Sequence, residues 1–245
     1  MEKTSGRTDK RGKFPSLFVL AVRSVIESAV FFGLIFIVKF LSSKYGSGVL
    51  YFIVPAGILI LGAVVIPLRF GTVLFFLNCE KEGKSSVGDL FSFFSPVLFF
   101  AAVRNGLVYL LFFLLCLLTF FLPCISMFAL MCYNILSLSS LFLSVLCFAA
   151  FLALLLIGAS AFLKIKRLTF LSRYLFVLSP EKRGLDSLLE SAEMLYGRTS
   201  FVTAVKMKNF FSRLFCVFVF PVGFIVRRCM QRNAHLAYEL LKERT

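Results

Sequence analysis

Two oppositely charged residues lie inside the first apolar stretch of the sequence. Arg23 and Glu27 are four residues apart, so a helix places both side chains on one face. A single charge at the centre of a bilayer costs roughly 2.5 to 3.5 kcal/mol, and this cost predicts that the two residues form an intramembrane ion pair. A structural pair is the favoured interpretation, and a transport or proton site is the alternative.

Catalytic and metal-binding arrangements are missing from the sequence. His235 is the only histidine. Metal sites and catalytic arrangements that need a second histidine are therefore excluded. The sequence also contains no Walker loop, no G-x-G-x-x-G and no H-E-x-x-H pattern. These observations predict a protein that is not an enzyme and that uses no cofactor or metal.

The composition is that of a membrane protein. Of the 245 residues, 60% are hydrophobic and 16% are charged, and residues 105–163 contain no Asp, Glu, Lys or Arg. Soluble domains contain roughly 45–50% apolar and 25% charged residues, whereas a membrane span needs about 20 apolar residues in succession. The sequence therefore predicts an all-α, polytopic transmembrane helical bundle in the cell membrane.

Apolar runs and their breaks predict five spans in a single transmembrane domain, residues 17–226, between basic tails at 1–16 and 227–245. The spans are predicted at residues 18–41, 49–77, 97–122, 141–163 and 209–226. Pro123 is expected to end the third span. Two amphipathic segments, 87–95 and 180–196, are expected to lie in the membrane interface, and the second is expected to begin at Ser179 and Pro180.

Basic residues set the predicted orientation. The net charge of +15 would suggest nucleic acid in a soluble protein, but here the positive-inside rule explains it. Residues 164–208 hold nine Lys and Arg residues, so this segment and the N-terminus are predicted to be cytoplasmic. The expected partners are membrane lipids and other membrane subunits, without nucleic acid. Five residues are candidate contacts for lipid headgroups: Arg69, Arg104, Lys164, Lys166 and Arg167.

The last apolar stretch conflicts with this orientation. A full crossing by residues 209–226 places Arg227 and Arg228 outside, against the positive-inside rule. A re-entrant segment with Pro221 and Gly223 at its tip returns the tail to the cytoplasm, provided that protein or water covers the backbone. The full crossing is preferred, and the re-entrant segment is the alternative.

One short pattern occurs twice. Residues 74–81 read LFFLNCEK and residues 175–182 read LFVLSPEK, and an amphipathic segment follows each. The recurrence predicts two hairpins of the same orientation, a parallel repeat. Chance similarity in a chain with 33 Phe residues is the alternative.

Longer stretches resemble a known family. PLRFGTVLFFLNCEKEGKSSVGDLFSFFS, SPEKRGLDSLLESAEMLYGR and MQRNAHLAYELL are similar to segments of an uncharacterised family of bacterial multi-spanning membrane proteins. The matching motif residues are Asp89, Leu90, Phe91, Ser191, Met194, Gly197, Tyr238 and Glu239. The chain departs from the family at IGASAF and RRC, where the family has a Pro-Gly turn and a Pro-Tyr pair. The resemblance implies an integral membrane location and no established activity.

Two functions are consistent with the sequence. The first is a membrane-organising or interaction protein that contacts lipid headgroups or partner subunits. The second is a transporter or permease component with a polar route near Arg23 and Glu27. A central polar cavity that reaches Glu27 would distinguish the second from the first.

Overall fold

The computed structural model describes residues 13–46, 48, 50–83, 85–136, 141–216 and 222–243, and these residues form helices and turns without any β-strand. The helices are α1 (Lys13–Tyr45), α2 (Leu50–Glu82), α3 (Gly88–Phe91), α4 (Pro96–Leu136), α5 (Leu141–Leu168), α6 (Ser172–Leu178), α7 (Gly184–Leu195), α8 (Thr199–Cys216) and α9 (Val222–Lys242). A short 3-10 helix, Ser92–Phe94, joins α3 to α4. The predicted all-α helical bundle is confirmed.

Four helices, α1, α2, α4 and α5, are long and apolar enough to cross a membrane. Neighbours among them run antiparallel: Leu34 of α1 lies beside Gly57 of α2, and Phe120 of α4 lies beside Gly158 of α5. Far from their charged ends, their apolar side chains remain uncovered, as for Phe52, which is 80% exposed. Lipid is the solvent that suits such a surface, so the structure is compatible with a membrane protein.

A tightly packed cap occupies the charged end of this bundle. It consists of the second half of α2, the first half of α4, and α3, α6, α7, α8 and α9. Aromatic rings form its centre: Phe70 lies 4.7 Å from Phe176 and 5.8 Å from Phe93, between ring centroids. The largest side chains of the core are almost fully buried, including Phe75, Phe76 and Leu90. The cap therefore has the close packing of a soluble core.

The predicted helix break at Pro123 is wrong, because α4 runs unbroken from Pro96 to Leu136. Proline removes one backbone donor. Membrane helices tolerate this loss where neighbouring helices and Ser or Thr side chains supply other hydrogen bonds. The carbonyl that Pro123 leaves without a backbone donor is that of Thr119, four residues earlier in the helix.

The last apolar stretch does not form the single helix predicted for a fifth span. α8 ends at Cys216 and α9 begins at Val222, and residues 217–221, with Pro221, lie outside the described residues. The two helices pack side by side in opposite directions, since Arg198 pairs with Glu243 and Asn209 donates to Asn233 at 2.9 Å. A straight crossing would separate these partners, so the described residues do not agree with the preferred full crossing, and the re-entrant segment stays a prediction.

The predicted basic tail, residues 227–245, is largely helical. α9 packs against α1, α2 and α8, and it buries Cys229, Ala234 and Ala237 completely. His235 Nδ1 lies 3.2 Å from Glu80 Oε2 at the end of α2. Small residues at one-turn spacing allow this close approach, and α9 thereby belongs to the cap.

The two predicted amphipathic segments both contain helix, with shifted bounds. Residues 87–95 divide into α3 and the 3-10 helix. α7 begins at Gly184, and Arg183 rather than Ser179 is its N-cap residue. Gly184 starts the helix because it packs on α4, where an added Cβ would lie 3.1 Å from the Asn105 side chain.

Candidate functional site

The turn between α5 and α6 determines the position of Arg173, the second residue of α6. Residues 169–171 form a turn, and Ser191 of α7 bridges it. The Ser191 hydroxyl donates to the Leu168 carbonyl at 2.7 Å and accepts from the Leu171 amide at 3.0 Å. Since a buried backbone group without a partner is costly, this serine stabilises the turn and fixes the start of α6.

Two buried side chains of α4 hold the other side of α6 and α7. The Tyr109 hydroxyl donates to the Ser172 carbonyl at 3.0 Å, and the Asn105 amide donates to the Lys182 carbonyl at 3.3 Å. Asn105 is completely buried and Tyr109 is 4% exposed. Arg173 therefore follows a backbone segment that is attached to both α4 and α7.

Arg23, Glu27 and Arg69 meet where α1 packs on α2. Arg23 Nε donates to Glu27 Oε1 at 2.8 Å, and Arg69 Nε lies 4.0 Å from the same oxygen. Arg23 Nη1 also lies 3.5 Å from the Thr72 hydroxyl. One carboxylate thus faces two guanidinium groups, and the formal charge of this group is +1.

Arg173 extends this positive region towards α5 and α8. Its charge interacts with the charges of Arg69 and Arg23 on one side and with that of Lys206 on the other. The side chain of Arg173 is exposed, and no ion pair or hydrogen bond holds it in the part of the chain that the structure describes. Arg173 therefore joins two sets of basic residues.

Lys206 of α8 lies at the end of α5. Its Nζ donates to the Lys166 carbonyl at 2.7 Å and lies 5.5 Å from the centre of the Phe170 ring. Burial, together with the charges of Lys166, Arg167 and Arg173, lowers the pKa of Lys206 to about 8. A nearby anion would stabilise the charged form of Lys206 and raise its pKa.

These residues form one basic cluster: Arg23, Arg69, Lys166, Arg167, Arg173 and Lys206. Among the described residues, Glu27 is the only acidic side chain within ion-pair distance of the cluster. Six cations and one carboxylate give a formal charge of +5. Guanidinium groups bind phosphate through paired hydrogen bonds, so the chemistry of the cluster suits a phosphate-bearing anion.

The predicted headgroup contacts divide into two groups. Arg69, Lys166 and Arg167 belong to the basic cluster. Arg104 and Lys164 are exposed on α4 and α5 and form no ion pair in the described ranges. Arg173 and Lys206 were not predicted as site residues, because the sequence does not reveal the turn that places Arg173 or the packing of α8 on α5.

The motif residues of the first half hold helices together. The Asp89 carboxylate accepts from the Ser86 amide at 3.2 Å and from the Asn78 side chain at 3.3 Å. Leu90 is fully buried and lies directly on Gly71 of α2, whereas Phe91 is 42% exposed.

The motif residues of the second half are divided between structural and surface positions. Ser191 closes the turn before α6, and Gly197 takes a left-handed φ of +80° after α7. Tyr238 packs on the core, and Glu239 is exposed. Met194 lines a cavity of about 320 Å³ between α7 and α9.

Neither this cavity nor an apolar groove between α1 and α2 includes Glu27 in its lining. The lining of the cavity contains both charged and apolar residues: Leu171, Glu190, Glu193, Met194, Arg198, Leu240 and Glu243. A polar route to Glu27 is therefore not formed by these two spaces.

No protein-family model, curated protein or solved structure matches the chain. The resemblance to a bacterial membrane family accordingly stays a prediction. The geometry of the basic cluster is the main guide to function.

Proposed function

We propose that this protein is a multi-pass membrane protein without enzymatic activity, and that it contacts the phosphate groups of anionic lipids through the basic cluster. The observation that carries the proposal is the surrounding of Arg173. The charge of Arg173 interacts with the charges of three other cations, Arg23, Arg69 and Lys206. Six cations with one carboxylate are costly unless an anion is shared among them.

The position of the cluster also supports a lipid headgroup. Arg23, Lys166 and Arg167 lie near the cap-side ends of α1 and α5, close to their apolar stretches. Arg69, Arg173 and Lys206 lie beside them on α2, α6 and α8. Anionic lipids attract basic residues near the membrane surface by about 1 kcal/mol for each Lys or Arg. In this proposal the cap and the N-terminus are cytoplasmic, as the positive-inside rule predicts.

α7 supports an interfacial role for the cap. It packs on α4 beside Asn105, next to the end of the α4 apolar run. Its Leu188 and Leu195 are buried, whereas Leu185 and Leu189 are 56% and 65% exposed. Exposed leucines at one-turn spacing suit a helix that lies at the boundary between headgroups and acyl chains.

Lipid retention measures the proposed contact directly. The full chain is reconstituted in phosphatidylcholine nanodiscs that contain a minor fraction of phosphatidylglycerol, and native mass spectrometry counts the phosphatidylglycerol molecules that stay bound. Arg173→Gln and Arg69→Gln should each weaken retention about fivefold, the equivalent of about 1 kcal/mol.

Arg228→Gln is the matched control. Arg228 is exposed on α9 and lies outside the basic cluster, so its replacement removes the same charge at another place. Equal losses for Arg228→Gln and Arg173→Gln would mean that only net charge matters, and the proposal would fail. Antibody access to N- and C-terminal tags in intact and permeabilised cells tests the orientation, because both tags should be protected in intact cells.

A further inference from the structure

The ends of α1 and α2 farthest from the cap enclose an apolar groove of about 490 Å³. One stripe of each helix lines it, from Phe31 to Ser42 on α1 and from Leu50 to Leu61 on α2. Gly57 forms part of the floor, where an added Cβ would lie 3.6 Å from Leu34. Because Gly57 has no side chain, the groove between the two helices stays open.

The groove has the length of one membrane leaflet. From Phe31 to Ser42 a helix rises about 16 Å at 1.5 Å per residue, and half of the hydrocarbon core is about 15 Å. The groove is also open along its side, since Phe31 is 49% exposed and Ile58 is 64% exposed. An extended acyl chain can therefore enter it laterally from the bilayer.

Lys39 is the only charged residue of the groove lining, and it lies near the end farthest from the cap. It follows Arg23 by about 24 Å along α1. Its flexible stem reaches several ångströms farther, so the ammonium group comes to the headgroup level of the leaflet opposite the cap. The groove thus offers an apolar trough with a cation and the hydroxyl of Ser42 at its outer end.

We infer that the groove binds one acyl chain of an anionic phospholipid, and that Lys39 contacts the phosphate of that lipid. This site lies in the leaflet opposite the basic cluster and does not depend on the function proposed for the cluster. A second copy of the chain fits less well, because a two-fold symmetric contact joins identical patches. Such a contact would bring the two Lys39 side chains together, and like charges repel each other.

A photoreactive lipid locates the occupant. The full chain is placed in phosphatidylcholine vesicles with phosphatidylglycerol that carries a diazirine on one acyl chain, and mass spectrometry maps the labelled residues. Labelling should concentrate on Val54 and Ile58 and should be weaker on Phe32 and Ile60. The last two are 66% and 53% exposed but lie outside the groove, so equal labelling of all four would overturn the inference.

Two pairs of variants separate the trough from its cation. Ile58→Trp fills the groove and should abolish labelling of Val54, whereas Ile60→Trp should leave it unchanged. Lys39→Gln should lower the preference for phosphatidylglycerol over phosphatidylcholine about fivefold, and Lys44→Gln should not. A cross-link that joins the grooves of two copies of the chain would identify a dimer contact and overturn the inference. The labelling pattern of the unchanged protein decides the question even if a variant fails to fold.

Discussion

Gly71 marks the place where α3 lies directly on α2, and replacing it with alanine should push these two helices apart. An added Cβ would overlap the Leu90 carbonyl oxygen and lie 2.6 Å from the Leu90 carbonyl carbon. All the atoms that it meets belong to backbone, so no side-chain rotation relieves the overlap. Leu90 and Phe93, which are 0% and 1% exposed, have to move out of the core of the cap.

The expected loss follows from two opposing effects. Overpacking of a core costs about 1–3 kcal/mol, and the better helix propensity of alanine returns at most about 1 kcal/mol. Because the overlap is with backbone, the cost lies at the upper end of this range, and the net loss of unfolding free energy is about 2 kcal/mol. For a chain of this length, each kcal/mol lowers the midpoint of thermal unfolding by about 2–4 °C.

Alkylation of Cys229 reports the change. This thiol is completely buried in the cap, so it reacts only when α9 moves away. The rate of its alkylation, followed by mass spectrometry over a temperature series in one detergent, should rise at a lower temperature in Gly71→Ala. Gly62→Ala is the matched control, because its Cβ would meet only Ile66 at an ordinary 3.9 Å. If both variants behaved alike, the close contact between α2 and α3 would be refuted.

Three further predictions concern the cap and the basic cluster. Ser191→Ala removes both hydrogen bonds that bridge the turn before α6 and should cost about 1–3 kcal/mol in the same alkylation assay, whereas Ser160→Ala, on the exposed face of α5, should have little effect. Phosphatidylglycerol retention should fall as pH rises through about 8, the pKa of Lys206, and Lys206→Gln should remove this dependence. Between about pH 8 and 10.5, Lys206 is protonated in the unfolded chain but deprotonated in the folded chain. The free energy of unfolding should therefore rise with pH in this range. Glu27→Gln should increase phosphatidylglycerol retention about fivefold, and an unchanged or weaker retention would show that the carboxylate does not oppose the anion.

Most of the fold could be predicted from the lengths of the apolar runs in the sequence. The first four predicted spans lie within α1, α2, α4 and α5, apart from residue 49, which lies outside the described residues. Long apolar runs have no other stable arrangement. The bounds were predicted less well where a distant contact decides them. α7 begins late because Gly184 packs on Asn105, and α9 is a helix of the cap because Ala234 and Ala237 pack closely on other helices.

The candidate site could be predicted only in part. The spacing of Arg23 and Glu27 predicts that both side chains lie on one face of a helix. In the structure, Arg23 Nε lies 2.8 Å from Glu27 Oε1. By contrast, Arg173 and Lys206 come together through the turn at residues 169–171 and the packing of α8, which no local pattern in the sequence records. Long-range geometry of this kind depends on the whole core rather than on neighbouring residues.

The repeated LFFLNCEK and LFVLSPEK patterns stay a prediction of duplication, and chance similarity stays the alternative. Asp89 and Glu190 are separated by the same 101 residues that separate Leu74 from Leu175. Each acid joins its amphipathic segment to residues near the preceding repeat: Asp89 accepts from Asn78, and Glu190 pairs with Lys182 at 2.7 Å. The partners themselves do not correspond, because Asn78 lies 101 residues before Ser179 and Lys182 lies 101 residues after Lys81, so these contacts do not distinguish duplication from chance.

The unbroken course of α4 makes it a rigid rod that is long enough to cross a membrane. Its 41 residues span about 61 Å, twice the thickness of the hydrocarbon core. One end is clamped in the cap by Asn105 and Tyr109, and the other end, at Leu136, lies about 46 Å beyond Asn105. A tilt of about 5° at the clamp therefore displaces Leu136 by about 4 Å, and α5, packed along α4, moves with it. Any movement of α6 against Tyr109, which donates to the Ser172 carbonyl, would therefore be felt at the far end of α4.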